Sequence, residues 1–256
     1  MAKEPKAVTT DAWLISVLSE VLARADGSPS NNIALLSTPR SGSSLLGDRI
    51  INTQQLGTPR EWINPRHMRA YLQVTGEKQL NLTRYLDLIR KKTVTSNGVF
   101  SIKIHVSQYQ SLLKSGHDIF ELIPFDAVIY VQRRQKLSQA LSLAKAQVTD
   151  HWSSKVEKPT NYEALVSQIT HSDILQSLQF ILAQEDYVAS KLASRVTAAA
   201  IYEGFLRDEC RAVIGEMAAA VDAVIDFSNW PTPSVDRQSS SRDDEVLSDL
   251  KARLGV

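Results

Sequence analysis

The sequence contains a single cysteine, Cys210, among 256 residues. That excludes a disulfide within the chain and fits a reducing compartment, with Cys210 read as an ordinary semi-buried helical thiol. Charge of one sign is also lacking. Lysine and arginine total 29 against 28 acidic residues, a net charge of +1, whereas broad nucleic-acid binding normally leaves a basic excess. No apolar run reaches the length that spans a membrane, and no long apolar core follows the early lysines as in a secretory signal. A cytoplasmic protein that binds no nucleic acid is therefore expected. Internal repeats are absent too. What is present, 43% hydrophobic and 22% charged residues, suffices for the core of one large α/β domain.

The most informative stretch is LSTPRSGSS, residues 36–44, at the end of the apolar run of residues 33–36. Leu45, Leu46, Ile50 and Ile51 then repeat at helical spacing, so the stretch predicts a strand, a tight loop and the start of a helix. Helix N-termini present unpaired N–H donors and a favourable dipole to an anion. Pro39 and Gly42 tighten the loop, Arg40 adds a charged fork, and Ser41, Ser43 and Ser44 add hydroxyls. A phosphate or sulfate ester is the implied ligand. An ordinary nucleoside triphosphatase would spell G-x-x-x-x-G-K-[ST], and its lysine is not spelled here, where Ser43 follows Gly42. No metal is expected.

Three further segments extend the α/β reading. Residues 99–106 follow an Asn97-Gly98 turn and alternate as a strand, with Ser101, Lys103 and His105 on one side. Residues 127–131 form a short continuous apolar run suited to a central parallel strand, and Arg133 and Arg134 stand at its carboxyl end, where ligands bind in open α/β sheets. The helix after it carries one stripe of Leu137, Leu141, Ala144 and Val148 and another of Ser138, Ser142, Lys145 and Thr149. Spacing leaves open which arginine and which serine would face a phosphate.

These segments resemble bacterial carbohydrate sulfotransferases of the trehalose 2-sulfotransferase and nodulation-factor type. TPRSGSS is similar to their 5'-phosphosulfate loop, and RRQKLSQALS to the signature in which a strand-end arginine and a helix serine clamp the donor's 3'-phosphate. LGTPREW, residues 56–62, resembles their G-x-P-x-E-[FW] stretch, whose glutamate is the general base and matches Glu61. Lys103 and His105 resemble the K-x-H element of cytosolic sulfotransferases, where the lysine assists the sulfuryl group and the histidine is the base. Arg237 and Gln238 match an R-Q element that closes over the nucleotide before a final helix, although composition alone marks residues 235–245 as disordered.

The resemblance implies a P-loop-like sulfotransferase fold with a short central parallel sheet flanked by helices. It implies transfer of a sulfuryl group from 3'-phosphoadenosine 5'-phosphosulfate to a carbohydrate or glycolipid hydroxyl. Arg40, Glu61, Lys103 and His105 would do the chemistry. The alternatives are a kinase-like enzyme and a catalytically silent binding module. Residues 1–32 read as a helical extension and linker, and residues 33–256 as one domain. In the extension, Trp13, Leu14, Val17, Leu18, Val21 and Leu22 form a stripe for packing on the core or in a homodimer. A long helix is expected over residues 160–192, capped by Thr160 and Glu163. A strand over 198–202 and a helix bearing Val213, Met217 and Val221 complete the order, with Tyr202 and Glu203 holding architecture.

Overall fold

A computed structural model describes residues 10–228, 230 and 241–254. Four parallel strands, β1 (Asn31–Ser37), β2 (Val99–His105), β3 (Ala127–Gln132) and β4 (Ala198–Ile201), form one sheet in the order β2-β1-β3-β4. Parallel strands need crossovers, and helices supply them on both faces. The alternation of β1 shows the consequence. Ala34 and Leu36 enter one core with Phe100, Ile102, Ile104, Val128 and Tyr130. Ile33 and Leu35 enter a second core with Val99, Ile129, Val131 and Ala200. Side chains two apart share a face, so a strand that is apolar throughout is buried from both sides.

The first core is closed by α1 (Thr10–Leu22), α3 (Pro65–Thr75), α4 (Leu82–Thr93) and α5 (Val106–Lys114). Leu14, Val17, Leu18 and Val21 are buried there, so the stripe of α1 packs on the sheet's own core. The second core is closed by α2 (Ser43–Thr53) and α11 (Arg211–Ala219). A third cluster joins α7 (Lys136–Thr149), α9 (His171–Tyr187) and α12 (Ser241–Leu254) through Ala140, Leu143, Ile174, Ile181 and Leu250. Short helices α6 (Ile119–Leu122), α8 (Tyr162–Val166) and α10 (Tyr202–Phe205) complete the chain. Among the described residues no helix is long and apolar enough to cross a membrane.

Several local expectations are corrected. The single helix over 160–192 is instead α8, a break and α9, followed by one π turn, Val188–Leu192. The working cap is Thr170, whose side chain accepts from Asp173 N while Asp173 reaches back to Thr170 N. On α9 the buried residues are Ile174, Ser177, Ile181 and Gln184, and Leu182 is exposed. On α7 Val148 is exposed, while Lys145 and Thr149 are buried. Cys210 is fully buried and left-handed (φ 70°) at the N-cap of α11, not helical, and burial pushes its thiol up to about 12. Residues 241–245 are helical because Leu247 and Leu250, farther along α12, pack into the third cluster.

Candidate active site

Ser37, His105 and Val131 lie at one level of the sheet, near the carboxyl ends of β1, β2 and β3. β1 connects outward to β2 and the chain later returns to β3 on its other side, which makes a crevice at the β1/β3 switch point. The loop 38–42 leaves β1 there. Gln139 of α7, fully buried, donates to Thr38 Oγ1 and the Pro39 carbonyl, each at 2.8 Å. Arg40 is held left-handed (φ 61°), a conformation costing a non-glycine residue on the order of 1 kcal/mol or more. Gly42 (φ 92°) is the N-cap of α2, and a Cβ there would run into the Tyr202 ring. No side chain caps this helix start.

Two groups of side chains converge on the loop. In the first, Arg40 Nε donates to Ser142 Oγ at 2.9 Å and Nη1 to the Trp152 carbonyl at 2.9 Å. Arg133 stacks on Tyr202, 4.9 Å from the ring centroid. Arg40 is depressed below its ordinary pKa, first by burial and then by the like charge of Arg133. Two cations that act on one another beside a helix start without a side-chain cap can receive an anion, which would relieve the repulsion. The Ser41 hydroxyl is fully buried and has no hydrogen-bond partner, which a ligand oxygen would remedy.

The second group surrounds Glu61. The peptide of Arg60 bridges to Ile102 of β2, and Lys103 N donates to the Arg60 carbonyl at 2.9 Å, which seats Glu61 beside the strand's end. Lys103 Nζ lies 3.0 Å from Glu61 Oε1 and donates to Ser44 Oγ at 3.0 Å, so it joins the carboxylate to the start of α2. His105 Nε2 is 3.3 Å from the same oxygen, and its Nδ1 lies 2.9 Å from Ser37 Oγ. Asn64 and Gln108 each donate to Glu61 Oε2 at 2.8 Å. Burial works to raise the pKa of Glu61. The charges of Lys103 and His105, with hydrogen bonds from His105 and Asn64, outweigh it and hold the carboxyl well below its usual range.

The expected residues thus separate by position. Glu61, Lys103, His105 and Ser44 meet, as do Arg40, Arg133 and Ser142. Arg134 is exposed; its N–H, with that of Gln135, donates to Glu203 at 2.9 Å, and Glu203 thereby secures the start of α7. Ser138 lies elsewhere, in a groove of about 500 Å³ between α7 and α12. Ser43 is buried at the first turn of α2. Arg237 and Gln238 lie outside the described residues. Asn64, Gln108 and Gln139 are additions that sequence reasoning missed. Asn64 carried a signal: Asn-Pro spells an N-cap followed by N1, and its Oδ1 accepts from Arg66 N. Among the described residues no cluster of His, Cys, Asp and Glu is placed to hold a metal ion.

The model of the Stf0 sulphotransferase family matches residues 33–248. Among solved structures, a sulfotransferase from Alicyclobacillus acidocaldarius is similar at 13% identity and a TM-score of 0.45, covering 88% of this chain and 92% of its own. Mouse sulfotransferase SULT7A1 complexed with PAP is similar at 12% identity and a TM-score of 0.40, covering 98% of this chain and 91% of its own. No curated protein matches.

Proposed function

The chain belongs to the Stf0 sulfotransferase family and is a sulfuryl-transfer enzyme, and from that premise we propose its donor, its acceptor class and the residues that serve them. The donor is 3'-phosphoadenosine 5'-phosphosulfate and the acceptor a carbohydrate or glycolipid hydroxyl. The observation that carries this reading is the bridge from Glu61 through Lys103 to Ser44, which joins a carboxylate to the anion loop across two 3.0 Å contacts.

When bound, the donor supplies an activated sulfuryl group on a phosphate leaving group. Residues 39–44 receive its 5' end through the N-terminus of α2, the Ser41, Ser43 and Ser44 hydroxyls and the Arg40 charge. Arg133, stacked on Tyr202 and close enough for its charge to act on Arg40, is assigned the 3'-phosphate. Arg134, exposed and tied by its backbone to Glu203, is left out of that role. Ser142, already on Arg40, is favoured over Ser138.

Glu61 is assigned the proton of the acceptor hydroxyl. The hydroxyl takes a place at its carboxylate, and the proton passes to Glu61 as the oxygen attacks sulfur in line with the departing phosphate. Lys103 meets the charge on the transferring group, and Arg40 the charge building on the phosphate. His105, fixed between Ser37 and Glu61, orients the carboxylate.

Calorimetry against adenosine 3',5'-bisphosphate and ATP tests the donor half. Tighter binding of the bisphosphate is expected, and a preference for ATP contradicts the reading. Incubation with the sulfur-labelled donor and a panel of sugars tests the acceptor half; label transfer to a sugar is expected, and binding without transfer to any member contradicts it.

A further inference from the structure

Next to Gln108, which donates to Glu61, a groove of about 230 Å³ opens between α3 and α5. Ile63, Met68 and Leu112 give it apolar walls, and Gln108 and Ser111 lie on its rim. The two oxygens of Glu61 face different surroundings. Oε1 meets Lys103, which continues to Ser44 and the donor loop. Oε2 meets Gln108, which itself lines the groove, and Asn64, which stands between the lining residues Ile63 and Pro65. Gln108 thus joins the groove to the carboxylate at which the acceptor hydroxyl is placed.

Sugar hydroxyls gain nothing against the side chains of Ile63, Met68 and Leu112, whereas a hydrocarbon chain does. We propose that this groove is an acceptor subsite for an acyl or alkyl substituent, so that the enzyme selects an amphiphilic acceptor with its hydroxyl head at Glu61. The inference rests on the function proposed above and narrows its acceptor. A cavity of about 150 Å³ holds a benzene ring, so this groove takes a chain on the order of six to nine carbons.

The test compares methyl, butyl, octyl and dodecyl glycosides of glucose, galactose and N-acetylglucosamine, below their micelle concentrations, in the parent and in Ser111→Phe. Ser111 is exposed, so its replacement projects a ring into the groove without touching the core; an unchanged melting temperature checks this, with Ser111→Leu as the second variant. In the parent, kcat/KM rises along the series by up to about fourfold for each buried methylene and levels off near octyl. In Ser111→Phe the octyl-to-methyl ratio falls toward one. Turnover that ignores chain length in the parent, or a ratio that both variants leave unchanged, overturns the subsite and leaves the sugar acceptor standing. Failure of every glycoside as acceptor overturns both.

Discussion

Four partners hold Glu61, two on each oxygen, and this sets what the residue can do. A carboxylate so held stays ionised to low pH and is presented in one orientation, but an arriving hydroxyl must take over one of those contacts. Gln108 carries much of the orientation. Its Oε1 accepts from His105 N at 3.3 Å while its Nε2 donates to Glu61, which ties the carboxylate to the end of β2. Because Lys103 is the largest influence lowering the pKa of Glu61, Lys103→Met leaves burial less opposed and moves that pKa upward. Under the proposed role of Glu61 as the ionised base, its limb of the kcat/KM profile should shift to higher pH in Lys103→Met. The 13C shift of the Glu61 carboxyl should move its titration the same way, and coincident titrations would contradict the assignment. Stability follows the same sign. A folded pKa below the unfolded value of about 4.3 contributes stability at higher pH, and the contribution is lost as pH falls through the folded value.

At the scale of elements, the loop before α2 and the end of β3 are proposed to hold the two ends of one donor, and Arg133 and Arg134 should then differ. Arg133→Ala removes a charge-assisted contact worth about 1.5 to 3 kcal/mol and should raise the dissociation constant of adenosine 3',5'-bisphosphate by roughly 10- to 150-fold. Arg134→Ala should leave it within about twofold, and calorimetry showing equal effects would return the choice to where spacing left it. The strands and the loop were legible because their burial is written in composition. Residues 33–36 and 127–131 are apolar throughout because two cores flank the sheet. The region 160–192 was misread, because the helix start was placed at Thr160-x-x-Glu163 whereas the reciprocal cap forms at Thr170 and Asp173. Of the site, the residues spelled by the loop could be read. Gln108 and Gln139 could not, since one glutamine in a helix looks like any other until packing aims it.

At the scale of the molecule, α12 docks on α7, which also bears Gln139 and Ser142. Lys145 lies 2.9 Å from Asp243, and Leu247 and Leu250 are buried against α7 and α9. Leu250→Ala should cost about 2 to 4 kcal/mol in denaturant unfolding, and a loss below about 0.5 kcal/mol would show that α12 does not belong to the cooperative fold. The central claim joins all three scales: the sheet sets Glu61 against the donor loop so that this carboxylate takes the acceptor proton. Single-turnover transfer of labelled sulfuryl, with donor saturating and the best sugar acceptor, tests it most directly in Glu61→Gln and His105→Asn. Glu61→Gln keeps the side-chain volume and removes the basic site, so the transfer rate should fall about 100-fold or more while bisphosphate affinity stays within about twofold. His105→Asn should retain the larger share of the rate. A folded, donor-competent His105→Asn that loses transfer while Glu61→Gln keeps it would make the histidine the base and contradict the account.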